Sequence, residues 1–193
     1  GKGLVWLGER NPNVLVLTGD LTESTRSQWF AEKFPKRFIE VGVAEQNMMG
    51  IAAGLALSGK IPFVSSYATF NPGRNWDQLR VSVCYSNANV KVAGAHAGIS
   101  VGPDGATHQA LEDIAMIRAL PNLTVVVPCD AIEARKATIA IGQEIKGPCY
   151  IRFGREKTAQ FTSEQTPFKV GRAEILCDSG DPDVAIIGSG ILL

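Results

Sequence analysis

The chain has 193 residues, enough to bury one sizeable core with part of a second unit. Its 19 basic and 19 acidic residues cancel, so charge gives no footprint for nucleic acid. Hydrophobic content of 45% and charged content of 20% are globular values, and no apolar run reaches membrane-span length. The opening Gly1 to Arg10 lacks the long apolar stretch of a signal peptide. Cys84, Cys129, Cys149 and Cys177 show no Cys-x-x-Cys spacing. They read as buried, reduced thiols of a cytoplasmic protein.

Taken in chain order, apolar runs alternate with helical patterns. Asn13 to Thr18 is a continuous apolar run and predicts a buried strand, ended by the turn residues Gly19 and Asp20. Trp29 to Phe34 predicts a short helix before Pro35. Phe38 to Val43 predicts a second strand. Asn47 to Ser58 predicts a helix closed by Gly59. Ile61 to Ser66 is a third strand. Trp76 to Tyr85 reads as a helix with Trp76, Leu79 and Val83 on one face. Val90 to Ala95 is a fourth strand, followed by a glycine-bearing loop from Ala97 to His108. Leu111 to Arg118 is helical, Leu123 to Pro128 a strand, Ala131 to Ile145 a helix, and Cys149 to Phe153 a sixth strand. This rhythm predicts an α/β fold: a mostly parallel open sheet with helices on both faces.

Beyond Arg155 the pattern changes. Phe168 to Cys177 reads as a connecting strand and Asp178 to Pro182 as a turn-rich linker. Asp183 to Gly190 starts another strand-to-glycine-loop unit. The expected division is one domain over 1–177, with 178–193 a linker and the first strand of a further domain. A final edge strand of the same domain is the alternative for that segment.

Glu45 stands where a strand hands over to a helix, and open α/β sheets bind ligands at the carboxyl ends of their strands. Flanked by Val43, Ala44 and Met48, its carboxyl group would be poorly solvated, which raises a pKa and suits proton transfer. The plainer alternative is a helix-start carboxylate complementing the dipole.

The run RFIEVGVAEQNMMGIAAGLALSGKIPFVSSYATF, from Arg37 to Phe70, resembles the pyrimidine-binding (Pyr) domain of the transketolase family of thiamine-diphosphate enzymes. The resemblance continues through Asp77-Gln78-Leu79-Arg80, through GAHAGISVGPDGATHQALEDIAMIRALPNLTVVVPCD, and through PCYIRFGRE. It covers roughly Val14 to Arg155. The order and spacing of these motifs are more specific than any one of them.

That resemblance implies roles, residue by residue. A Glu matching Glu45 hydrogen-bonds N1′ of the cofactor's aminopyrimidine and favours the imino tautomer, whose 4′-nitrogen takes the proton from thiazolium C2. Phe70 matches an aromatic that stacks on the aminopyrimidine; a core Phe capping the sheet is the plainer reading. Asp20 matches the Asp of the family's Asp-Leu-Thr motif beside the cofactor, and Ser24 matches a Ser that contacts the sugar phosphate. A turn Asp is the alternative for Asp20. His96 and His108, the chain's two histidines, match residues that contact substrate hydroxyls or phosphate. Asp104 matches an Asp that reads a sugar hydroxyl. Arg155 matches a phosphate-binding Arg, for which its forked donors are suited, although a surface Arg remains the plainer reading. Trp76 is either a second stacking residue or helix core.

The resemblance also implies what is missing. The family binds diphosphate and magnesium through a Gly-Asp-Gly followed by Asn, and this chain has no Gly-Asp-Gly. Gly102-Pro103-Asp104-Gly105 is no substitute, because Pro removes a backbone donor. No residue here is therefore expected to bind metal. The chain resembles the C-terminal section of a split transketolase, inactive until a separate diphosphate-binding chain supplies Mg2+ and the rest of the cofactor site. An excised piece of a longer chain is the alternative. The helix from Asn47 to Leu57, with Gly50, Ala52, Ala53, Gly54 and Ala56, is small-sided and permits close approach. The resemblance places it at the family's dimer interface and so implies a homodimer through Pyr domains, with close packing on its own sheet as the plainer reading. Sugar phosphates are the implied substrates. The deoxyxylulose-phosphate synthase branch, hinted at by Arg74 and Asp77, typically has Arg where His96 stands. A non-catalytic structural subunit is the third possibility.

Overall fold

The structure is a computed structural model that describes residues 1–193. Six strands form its sheet: β1 (Val14–Thr18), β2 (Phe38–Glu40), β3 (Ile61–Tyr67), β4 (Lys91–Ala95), β5 (Thr124–Val126) and β6 (Cys149–Arg152). All five pairings are parallel, in the order β2-β1-β3-β4-β6-β5. The helices are α1 (Lys2–Arg10), α2 (Gln28–Lys33), α3 (Glu45–Leu57), α4 (Trp76–Gln78), α5 (Asp113–Arg118) and α6 (Ala131–Gln143). α4 runs on as a wider π-helical segment, Leu79–Tyr85.

Register follows from alternation. Leu17 lies beside Val64, Val64 beside Val92, Val92 beside Tyr150, and Tyr150 beside Val125. All five belong to one apolar cluster, with Met48, Met49 and Ala52 of α3, Leu79 and Val83 after α4, and Ile117 of α5. Their neighbours Val16, Phe63, Cys149 and Ile151 face a second cluster with Leu4 and Leu7 of α1, Phe30 of α2, and Ala137 and Ile141 of α6. Successive strand residues point to opposite faces, so a slip of one residue would exchange the two layers. The expected sheet with helices on both faces is present.

The chain reverses direction at β1: it passes outward to β2, then returns across β1 to β3. The crevice between β1 and β3, at their carboxyl ends, is the topological switch point where such sheets bind ligands.

Several expectations need correction. α1 was not foreseen, because Gly3 and Gly8 weaken a helical reading. Both are needed for contact: a Cβ on Gly3 would come within 2.9 Å of Thr138 on α6, and one on Gly8 within 2.6 Å of Phe34. β2 stops at Glu40 rather than Val43, since Gly42 turns the chain with φ 70° and its N–H bonds to Glu40. Residues 168–177 and 183–190 form no strand, as no sheet edge pairs with them. Phe168 and Val170 still pack on the second cluster. Cys177 is exposed, while the other three thiols are buried, and all four are free.

Candidate active site

Glu45 is the first residue of α3, and its side chain is 1% exposed. Burial does not come from Val43, which is 66% exposed, but from the switch point itself. Gly19, just past β1, forms the floor: a Cβ there would sit 3.8 Å from Glu45 Cγ and Oε1. Ser66 of β3 points its hydroxyl at Oε1 from 3.5 Å, the long limit of a hydrogen bond. Arg74 closes the remaining side, with Nη1 donating to Oε2 at 2.7 Å. The buried carboxyl is thus an ion-pair partner as well as a helix-start acid, and Ala44 before it offers no side-chain cap.

The main chain of Glu45 is fixed too. Asn75 Nδ2 donates to the Glu45 carbonyl at 3.1 Å and to Asn71 Oδ1 at 3.0 Å. Asn71 Nδ2 donates in turn to Val64 O of β3 and Ala93 O of β4. The tight turn that carries these residues has no room for a Cβ on Gly73, which would overlap Thr69 O. On the other flank, Glu40 accepts from the main-chain N–H of Asp20 at 2.7 Å and of Gly42 at 2.9 Å, and from Thr22 Oγ1 at 3.0 Å. Asp20 is held by this carboxylate in the left-handed region, φ 61°.

Beside Glu45 lies an aromatic and imidazole group. Tyr67, the last residue of β3, stacks 6.5 Å from Phe70 and sits 4.3 Å from the His96 ring. His108 meets Phe70 edge-on at 5.3 Å and Tyr67 at 6.2 Å. The Arg74 guanidinium lies 4.4 Å over the Phe70 ring. Trp76 instead packs against the first apolar cluster, so it is helix core.

His96 follows β4 in a left-handed conformation, φ 51°. Burial lowers its pKa below 6.5; Arg155 and Arg26 act with burial, while Asp104 and the Ser24 main chain oppose it. The imidazole is therefore in the electrostatic reach of Ser24, Asp104 and Arg155, three residues far apart in sequence. Arg155 pairs with Asp104 at 3.7 Å and donates to Val101 O. His108 Nδ1 lies 2.9 Å from Thr107 Oγ1.

So the fold brings Asp20, Ser24, Glu45, Phe70, His96, Asp104, His108 and Arg155 to one end of the sheet, and leaves Trp76 in the helix core. Glu45, Phe70 and Asp20 gather at the switch point. His96, Asp104, His108 and Arg155 form the adjoining flank. Sequence reading missed the parts that hold them. Glu40 was visible only as a second Glu five residues before Glu45. Asp113, buried after the loop, accepts from Tyr150 Oη at 2.7 Å and Arg152 Nε at 2.8 Å. Residue type gave no hint that this acid meets β6. A cavity of about 880 Å3 lies elsewhere, among residues such as Cys129, Phe168, Ile186 and Ile187. The described residues include no group of three or more His, Cys, Asp or Glu placed to hold a metal.

The profile of the family described as "Transketolase, pyrimidine binding domain" matches residues 1–160. The chain belongs to the transketolase family. The chain is 45% identical over 192 residues to "Putative transketolase C-terminal section" of Methanocaldococcus jannaschii, covering 98% of this chain and 60% of that protein. Human "Transketolase" is 39% identical over 194 residues, covering all of this chain and 31% of its own length. Among solved structures, "Split gene transketolase, inactive beta4 tetramer" superposes with a TM-score of 0.82 at 47% identity, over 92% of this chain and 57% of that one. The transketolase from Leishmania mexicana gives a TM-score of 0.73 at 31% identity, over 80% and 24%. The chain thus spans less than two thirds of the length of these relatives. Transketolases are transferases, and the family implies thiamine-diphosphate dependence. No helix is long and apolar enough to cross a membrane.

Proposed function

We propose that this chain is the pyrimidine-binding half of a thiamine-diphosphate-dependent transketolase that moves a two-carbon ketol unit between sugar phosphates. The observation that carries the reading is Glu45, buried at the switch point beside Phe70. A buried carboxyl with a flat aromatic neighbour, over a floor that has no Cβ at Gly19, fits the aminopyrimidine end of the cofactor. When bound, thiamine diphosphate supplies the nucleophilic carbon that accepts the ketol unit.

The chain's own residues do the rest. Glu45 holds N1′ of the aminopyrimidine and governs where that ring's protons sit. Phe70 orients the ring by stacking, and Asp20 borders it. His96, kept neutral near pH 7 by burial and by Arg155, accepts or donates a proton at a sugar hydroxyl. His108 works beside it. Asp104 reads a hydroxyl. Arg155 and Ser24 hold the phosphate, the former as a charged fork. A diphosphate-binding chain carries Mg2+, and this chain is inactive without it. Pyr domains pair as a homodimer through α3, on which Gly50 and Gly54 are exposed with open space above their Cα atoms. Residues 1–177 form the domain, and 178–193 lead into a further one. The location is cytoplasmic.

Arg74 beside Glu45 supports a second reading, the pyruvate-using synthase branch, against which His96 stands. The deciding assay is release of glyceraldehyde 3-phosphate from xylulose 5-phosphate and ribose 5-phosphate, with thiamine diphosphate and Mg2+. It is run on this chain alone and with the diphosphate-binding chain added. Activity in the mixture only is expected. Turnover of pyruvate in place of the ketose would move the assignment to the synthase branch. In the active mixture, Glu45→Ala should lower turnover by at least about 100-fold with the fold retained, as loss of a proton-handling group does. Unchanged turnover would remove Glu45 from the mechanism.

A further inference from the structure

On the reading that Glu45 and Phe70 receive the aminopyrimidine, we infer that Arg74 fills that ring's place in the free chain and must withdraw before the ring enters. Two contacts define the place: a hydrogen bond to the Glu45 carboxyl group and a stack on Phe70. Arg74 makes both at once, with Nη1 2.7 Å from Glu45 Oε2 and Cζ 4.4 Å from the Phe70 centroid. A guanidinium is flat, delocalised and forked, so it stacks and hydrogen-bonds much as an aminopyrimidine edge does. Glu45 has little else to offer, because Oε1 is turned to the Gly19 floor and the Ser66 hydroxyl.

The two partners differ in freedom. The Glu45 side chain is 1% exposed, whereas that of Arg74 is 43% exposed. Water can receive the departing guanidinium, so Arg74 is the mobile member. The backbone around it need not move: Asn71 and Asn75 are anchored on Val64 O, Ala93 O and Glu45 O. A side-chain rotation suffices. In the free chain the pair has a purpose, since a buried carboxylate without a partner is strongly destabilising. The incoming ring must replace that compensation, and cofactor affinity is lowered by whatever the Arg74 contacts are worth.

The test uses the full chain and 4-amino-5-hydroxymethyl-2-methylpyrimidine as the probe. Wild type, Arg74→Met, Arg74→Gln and Phe70→Ala are titrated by NMR, with the arginine Nε–Hε signals followed in the wild type. Arg74→Met should bind about tenfold tighter than wild type, equivalent to about 1.4 kcal/mol. Arg74→Gln, which keeps a hydrogen-bond donor near Glu45 without the charge, should fall between and serves if Arg74→Met does not fold. As the wild type fills, the Arg74 Nε–Hε signal should move to a solvent-exposed position. Equal, weaker or absent binding by both Arg74 variants overturns the displacement, as does an Arg74 signal unmoved at saturation. Failure of the underlying reading is separable: Phe70→Ala would then bind as well as wild type, placing the ring elsewhere and overturning the displacement with it.

Discussion

His96 shows how a single side chain joins position to charge. Its left-handed backbone turns the imidazole back over the strand ends, toward Tyr67 at 4.3 Å. Burial is the largest influence on its titration, then Arg155, and the pKa falls below 6.5. A histidine harder to protonate when folded than when unfolded makes the unfolded state the stronger proton binder. Its contribution to stability is therefore unimpaired above pH about 6.5 and declines as pH falls through the unfolded value. His96→Gln should flatten the difference in urea midpoint between pH 8 and pH 5, measured against wild type. A parallel pair of curves would show that the imidazole titrates freely. The residue scale is also where sequence was most informative. Glu45, Phe70 and the histidines stand in recognisable strings. Glu40 does not announce itself and Arg74 stood out only as a mark of the synthase branch, because their importance lies in which main-chain N–H or carboxylate they meet.

At the scale of elements, two joints can be tested. Gly94 of β4 faces Tyr150 of β6, and a Cβ there would overlap the Tyr150 hydroxyl. That hydroxyl donates to the buried Asp113, so Gly94→Ala forces a choice between overlap and a lost hydrogen bond. The expected cost is about 1–3 kcal/mol by urea unfolding, the usual range for overpacking. A change below about 0.5 kcal/mol would mean that β4 and β6 separate easily. Asp130 caps α6 by accepting from Glu133 N at 2.8 Å, and also accepts from Phe161 N at 3.0 Å and Thr162 N at 2.7 Å. Burial works to raise its pKa, but these hydrogen bonds prevail and hold it below 3.8. The lowered pKa makes the stabilisation complete above the unfolded value and lost as pH falls through the folded one. Asp130→Ala should cost about 1 kcal/mol for the cap and about 1–3 kcal/mol for the donors left behind. Wild type and variant should converge in stability toward pH 2. The six sheet strands were legible as short continuous apolar runs, because both faces of the sheet are covered, and most helices by their spacing and stop signals. α1 was not, since its glycines serve close packing against α6 and α2.

For the whole molecule, the parallel sheet and its switch point explain why residues from Asp20 to Arg155 converge. Asp20 and Ser24 follow β1, Glu45 follows β2, Phe70 follows β3, His96, Asp104 and His108 follow β4, and Arg155 follows β6, and the crossovers carry the chain back to the same end of the sheet. The alternation of strands and helices already implied that common end; what spacing does not give is the strand order, which sets the crevice between β1 and β3. The last part of the chain obeys different rules. Residues 171–189 are all exposed, with Ile186 at 93% and Ile187 at 94%. Their apolar strings promised strands, but a strand forms only where another can pair with it. Ending the chain after Val170 should shift the melting temperature by no more than about 2 °C, less than about 1 kcal/mol for a chain of this size. A larger fall would show that the segment contributes to the core.

The thiols provide an intrinsic readout of cooperativity. Cys84 lies in the layer built on α3 and α5, and Cys149 in the layer built on α1 and α6. Burial pushes Cys84 up to about 11 and raises Cys149, so neither reacts with an alkylating reagent until its layer opens. Cys177 reacts at once and supplies the reference signal. Pulse labelling through a denaturant series would thus time the two faces of one sheet separately. Equal opening free energies mean a single cooperative unit; a gap between them identifies the face that loosens first.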